Sequence, residues 1–287
     1  MILNTGQLSE LAQLAETAAA DAAAFIRQHN SGEIKVDTKH GSSEASSVVT
    51  WVDLKCQDII LKHLQASIQR YDLGLLTEES EDDESRLHKD YFWCIDPLDG
   101  TLAFTERRPG YSVSIALMSR SGEPQIGVIH EPITNKRLTA IKGLDVSGEL
   151  LQHWSTETDK LYVMIDGGVR HLAEYQSVLQ ALEKEAKYMG LSGLEYISGA
   201  GAILQATRVA ASPHALYFKL PKRKRGGGSI WDFASTACLF QEMKLPLCDA
   251  QGQVLDFNSS HSTFFNHCGI VYATEERLAE IVINRQS

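Results

Sequence analysis

The chain has 287 residues and a formal net charge of −10, with 43% hydrophobic residues. That length holds one large or two modest domains, and the charge makes polyanions poor non-specific partners, so phosphate chemistry would need metal ions or a local basic patch. No apolar run of about 18 residues marks a membrane span, no basic-then-apolar leader opens the sequence, and Cys56, Cys94, Cys238, Cys248 and Cys268 form no Cys-x-x-Cys pair, which fits a reducing, cytoplasmic setting without zinc ribbon or disulfide framework.

Leu8, Leu11, Leu14, Ala15, Ala18, Ala22 and Phe25 recur at three- and four-residue steps and predict an amphipathic first helix. A Ser/Gly-rich loop over 41–47 follows, then a second helix from near Leu54 with Asp53 as its N-cap. Short apolar runs at 74–77, 91–95, 111–118, 126–130 and 137–141, mostly separated by glycine or proline, predict a sheet. After a polar stretch near 152–160 strands and helices alternate: strands at 161–165, 215–220 and 268–273, helices at 172–186, 202–209, 230–243 and 275–283. The chain therefore divides near residue 155 into an α+β half (1–155) and an α/β half (156–287), with helices layered on sheet.

The most informative stretch is Trp93-Cys94-Ile95-Asp96-Pro97-Leu98-Asp99-Gly100-Thr101. It sets two carboxylates three residues apart on a Pro/Gly-bent turn after an apolar strand. Unit charges about 4 Å apart repel by roughly 4 kcal/mol at an effective dielectric of 20. A hard cation such as Mg²⁺ would relieve that repulsion; an ordinary Asp-Pro-x-Asp-Gly turn would also use these residues. Three further acidic features fall at element ends: Asp53 after Thr50-Trp51-Val52, Glu78-Glu79 after the 74–77 run, and Asp232 in Ser229-Ile230-Trp231-Asp232. Singly, each has a plain structural explanation: a helix cap, a solvated acidic run, and a Ser-x-x-Asp capping box.

Together they have a sharper one. The series Asp, Glu-Glu, Asp-Pro-Leu-Asp-Gly-Thr, Trp-Asp resembles the inositol monophosphatase superfamily of Mg²⁺-dependent, lithium-sensitive phosphatases, and Phe104, Pro109 and Ser112-Val113-Ser114-Ile115-Ala116-Leu117 match the segment that follows the turn. The resemblance covers nearly the whole chain. It implies a layered α-β-α-β-α sandwich of the inositol monophosphatase/fructose-1,6-bisphosphatase type. The active site would lie between the halves, with Asp232 and the substrate pocket in the second. It also implies two or three Mg²⁺ ions, held by Glu78, Asp96 and the Leu98 carbonyl, and by Asp96, Asp99 and Asp232. Thr101 and Asp53 would orient and deprotonate the attacking water, Glu78 would share in catalysis, and the amides of Gly100 and Thr101 would cradle phosphate oxygens.

The substrate side is less uniform. The family's Gly-Ser/Thr-Ala turn is matched to Ser198-Gly199-Ala200-Gly201. Where inositol monophosphatases carry glutamate seven residues before the Trp-Asp aspartate, this chain has Arg225, whose planar fork suits a second phosphate. The Tyr217-Phe218-Lys219-Leu220-Pro221 run is similar to the 3′(2′),5′-bisphosphate nucleotidase branch. The implied substrate is adenosine 3′,5′-bisphosphate, with Lys219, Lys222 and Arg225 holding the 5′-phosphate. The alternatives are an inositol or other sugar phosphate, or a catalytically dead phosphate-binding scaffold. The basic run 222–225 beside three glycines also fits a solvated mobile loop. Two features depart from the family: Ala234-Ser235-Thr236-Ala237 leads to Met243-Lys244-Leu245 without a Gly-Gly pair, and a longer loop before Asp53 blurs the match of Lys39 to a mobile lysine. No Gly-x-Ser-x-Gly or His-Glu-x-x-His supports a serine hydrolase or zincin. A small phosphate ester, without nucleic acid or membrane, and a monomer or homodimer complete the expectation.

Overall fold

The structure is a computed structural model that describes residues 1–30, 36–38, 48–153 and 159–285; Lys39 and the 41–47 loop lie outside them. Helix α1 (Thr5–His29) opens with Asn4 and Gln7 capping each other reciprocally, at 3.0 and 2.9 Å. Its alanines Ala12, Ala15, Ala18, Ala19, Ala22 and Ala23 are buried, small enough for close approach to α2 (Trp51–Tyr71). Strands β1 (Val36–Thr38) and β2 (Val48–Thr50) pair antiparallel ahead of α2.

Six strands form the first sheet: β3 (Gly74–Thr77), β4 (Tyr91–Asp99), β5 (Ser112–Ser119), β6 (Pro124–Glu131), β7 (Lys136–Ile141) and β8 (Ser147–Gly148), side by side in chain order. The β3–β4 pair is parallel and the rest antiparallel. The short helices α3 (Ser85–His88), α4 (Thr101–Thr105) and α5 (Leu150–His153) occupy connections. The second sheet holds β9 (Leu161–Met164), β10 (Leu194–Ile197), β11 (Ala215–Lys219), β12 (Leu247–Cys248) and β13 (Ile270–Ala273) in the order β10-β9-β11-β13-β12. Its first three strands are parallel and β13 runs against β11 and β12, so the alternation read from the sequence yields a mixed sheet.

The period-2 alternation of side chains then dictates layers. Tyr91, Trp93 and Ile95 of β4 join Val113, Ile115 and Leu117 of β5 in a core against α1 and α2. Phe92, Cys94, Ala116 and Met118 face the other way, into a core shared with α7 (Ala202–Ala210), α8 (Ile230–Met243) and the Tyr162, Met164, Tyr217 and Tyr272 face of the second sheet. Val163, Leu216, Phe218 and Val271 point outward to a third core with α6 (Ala173–Tyr188) and α9 (Glu276–Ile283). The result is the α-β-α-β-α sandwich, whose middle core draws residues from both sides of position 155.

Two contacts set the depth of α8 on the first sheet. Ser114 Oγ donates to Ser235 Oγ at 2.8 Å, and Gly127 on β6 has no Cβ because one would collide with the Ser235 carbonyl. Gly127→Ala should therefore lower unfolding free energy by about 1–3 kcal/mol, read as a lower denaturant midpoint. An unchanged midpoint would show that α8 is not seated there.

Candidate active site

The parallel β3–β4 pair sends two strand ends out at one edge of the first sheet. The register Thr77↔Ile95 continues with the Glu78 amide donating to Ile95 O at 3.1 Å, so Glu78 lies beside Asp96 and the two carboxyls share a hydrogen bond. Strand β4 runs on through Asp99, where a free turn was expected after Ile95. Pro97 lies in a register shift between Asp96 and Asp99, a bulge where its missing N–H costs no ladder bond. Gly100 follows at φ 84°, with Gly110 and Tyr111 backbone packed where a Cβ would be. This bulge aims both aspartates to the same side.

Asp232 arrives from α8. It is the third residue of the helix, and its Oδ2 accepts the Ser229 amide at 2.5 Å, as the capping box predicts. The ligand atoms of Asp96, Asp99 and Asp232 lie within 4.8 Å of one another. At that separation each like-charged pair repels by about 3.5 kcal/mol at an effective dielectric of 20. Burial, then the charges of Glu78, Asp99 and Asp232, push the Asp96 carboxyl well above the usual range. Burial and Asp232 do the same to Asp99, although the amides of Ile203 and Ala202 oppose the shift by donating to its two oxygens at 3.0 and 3.1 Å. These all-oxygen donors, packed closer than their charges tolerate, fit a hard divalent cation.

Asp53 is 1% exposed and lies in the first turn of α2, because that helix begins at Trp51 and not at Leu54; its expected N-cap role is thus replaced. Thr101 Oγ1 lies 3.2 Å from Asp53 Oδ1 and 3.1 Å from the Leu98 carbonyl, so one hydroxyl joins the second helix to the bulge.

The substrate-side expectations divide. Gly199 O accepts from Arg108, and Gly199 and Ala200 pack against Gly110, so this turn braces the loop before β5. Contact with the carboxylates comes instead from Gly201, the last residue of the matched turn, and from Ala202 and Ile203, which the sequence reading placed only in a helix. A Cβ on Gly201 would collide with the Asp99 carboxylate, so the glycine lets the start of α7 approach it. Ser198 precedes this turn, at the end of β10. Lys219 donates to Asp166 Oδ2 at 2.7 Å. Burial works against its charge and the Asp166 carboxylate more than offsets this, holding its pKa well above the lysine range. Its charge is thus committed to Asp166, a partner with no sequence signature. Burial, then Lys219, depress the pKa of Lys222, and Arg225 lies exposed over the Phe264 ring.

With this geometry in view, residues 7–287 match the inositol monophosphatase family. The chain belongs to that family. Among its relatives, Nus factor SuhB of Pasteurella multocida is 26% identical over 88% of this chain and 87% of its own length. The 3′(2′),5′-bisphosphate nucleotidase CysQ of Shigella flexneri is 29% identical over 77% of this chain and 84% of its own. The crystal structure of an IMPase/NADP phosphatase complexed with Mg²⁺ and phosphate superposes with a TM-score of 0.71 at 17% identity, covering 96% of this chain and 95% of that one. The five-layer sandwich is therefore the fold of this family. No helix among the described residues is long and apolar enough to cross a membrane.

A carboxyl whose folded pKa is raised favours the protonated state, so it destabilises the metal-free fold increasingly as pH rises from the unfolded pKa through the folded one. Asp96→Asn keeps the oxygen that accepts the Leu98 amide and removes the charge. It should raise the metal-free Tm at neutral pH by about 2–4 °C. It should also abolish the further rise that Mg²⁺ gives the wild type, as differential scanning fluorimetry would read.

Proposed function

We propose that this chain is a divalent-metal-dependent phosphoric monoester hydrolase, and that it removes the 3′-phosphate from a small nucleotide carrying two phosphates, adenosine 3′,5′-bisphosphate being the reference compound. The observation that carries the phosphatase reading is the convergence of Glu78, Asp96, Asp99 and Asp232 beside a Thr101–Asp53 pair. Asp96, Asp99 and Asp232, with Glu78 and the Leu98 carbonyl, would hold the cations. A divalent cation in this cluster supplies charge neutralisation for an entering phosphate dianion and Lewis acidity toward water.

The chain's own residues do the rest. Thr101 Oγ1 accepts a hydrogen bond from water and donates its own hydrogen to Asp53 Oδ1, so a proton leaving the water is taken up at a buried carboxylate. Gly100, at φ 84° with the Gly110 carbonyl where a Cβ would be, would offer its amide and that of Thr101 to phosphate oxygens. Asp99, gripped by two α7 amides, keeps its place as the phosphate enters. Removing either member of the proton pair, by Thr101→Ala or Asp53→Asn, should lower kcat by about 10²–10⁴-fold with little change in KM. Steady-state phosphate release checks this, and kcat within tenfold of wild type would remove the pair from the chemistry.

The bisphosphate reading rests on Arg225 and the basic run around it, in a chain of net charge −10. The relatives do not choose the substrate: the CysQ nucleotidase matches at 29% identity, Nus factor SuhB at 26%, and the family as a whole is that of inositol monophosphatase. An inositol or sugar phosphate is therefore the second reading. Phosphate release with Mg²⁺ from adenosine 3′,5′-bisphosphate, inositol 1-phosphate and fructose 1,6-bisphosphate separates the readings. The account expects the first to be preferred by kcat/KM. Preference for inositol 1-phosphate would overturn the nucleotide assignment; no release from any would leave another phosphate ester or a phosphate-binding scaffold, which Mg²⁺ binding by calorimetry separates.

A further inference from the structure

The basic run is held at both ends by one neighbouring segment. The Lys222 amide donates to Asn266 O at 2.7 Å and Asn266 Nδ2 returns a bond to Lys222 O at 3.1 Å. At the other end, the Phe265 amide donates to Gly228 O at 3.1 Å and the Ile230 amide to Thr263 O at 2.9 Å. Between these clamps Gly226, Gly227 and Gly228 take φ of 115°, 89° and 113°, a succession open only to glycine. The run is thus tied at both ends to residues 263–266, while the side chains of Lys222, Arg223, Lys224 and Arg225 stay exposed to solvent.

The loop lays Arg225 back over Phe264, with the guanidinium carbon 4.4 Å from the ring centroid. Phe264 is fixed from below. It forms a β-bridge with Ser229, and its ring meets Trp231 edge-on at 6.4 Å and 70°. Ser229 is the residue whose amide Asp232 accepts. An unbroken series of direct contacts thus leads from the carboxylate cluster through Ser229 and Phe264 to Arg225. Among the described residues Arg225 has no carboxylate partner.

We infer that Phe264 is a positioning residue for Arg225, and that the pair forms a cationic subsite for a second phosphate on the substrate; this rests on the bisphosphate reading above. An arginine on a free loop loses much of its rotamer freedom when it binds an anion. Stacked on a ring, it has lost that freedom beforehand, and its N–H edge stays open for bidentate contact with phosphate. The ring is anchored to the cap of α8, so the distance from this subsite to the carboxylates is set by the same helix end that places Asp232. Phe264 belongs to no motif that the sequence displays.

The test compares two substrates that differ only in the second phosphate, adenosine 3′,5′-bisphosphate and adenosine 3′-phosphate, with the full chain and Mg²⁺. The quantity read is the ratio of their kcat/KM values. Phe264→Leu should lower that ratio about fivefold, through the KM of the bisphosphate, in keeping with the loss of one cation–π contact. Phe264→Tyr should keep it. Arg225→Ala should lower it at least as far, and Phe264→Leu should then add almost nothing. An unchanged ratio in Phe264→Leu, an equal loss on both substrates, or independent losses in the double variant would each overturn the inference. A wild-type ratio near one would overturn the bisphosphate reading itself, which the wild type tests before any variant is made.

Discussion

The mutual repulsion of buried carboxylates is the constraint around which this molecule is arranged. Asp96, Asp99 and Asp232 come from two elements far apart in the chain, yet their ligand atoms share a space 4.8 Å across. Glu78 adds a fourth charge from the neighbouring strand. The sandwich has to hold these groups against each other, and it does so with rigid parts: a parallel strand pair, a proline bulge, a capped helix and the amides of α7. Each of these would be an ordinary structural device alone. Their convergence is unfavourable unless cations enter, which makes ion binding and the stability of the site one problem.

Helix α8 couples that site to the rest of the fold. Its body belongs to the middle core, pressed onto Gly127 and bonded to Ser114. Its first turn holds Asp232, and its cap residue Ser229 bridges to Phe264. Packing in the middle layer therefore determines where the last carboxylate stands and, with it, where Arg225 stands. The charge layout follows the chemistry proposed: a negative cluster that cations neutralise, and beside it a basic loop in an acidic protein.

Much of this was legible in the chain. The Ser229 cap, the apolar spacing after it and the charge at Asp232 read as a helix over 230–243, and α8 has those bounds. The carboxylates could be grouped because their spacing matched a family pattern, not because any local signal says that Asp96 meets Asp232. Where local punctuation and tertiary pairing disagree, the reading failed. Pro97 and Gly100 read as a turn, whereas β5 pairs with β4 as far as Asp99 and makes the same residues a bulge. Strand β10 was missed because it is a half-exposed edge without clean alternation. The substrate side was the least legible part. Lys219 is spent on Asp166, and the loop after it is clamped by residues 263–266, contacts that only the folded chain creates.

The close packing of Asp96, Asp99 and Asp232 makes protons and a cation competitors for the same oxygens. Calorimetric titration with Mg²⁺, repeated in buffers of different ionisation enthalpy at about pH 5.5 and about pH 8, counts those protons directly. The raised pKa values of Asp96 and Asp99 predict proton release on binding at the lower pH, shrinking as pH rises, with affinity increasing in parallel. Mg²⁺ binding that exchanges no protons at either pH, or no binding at all, would contradict the account.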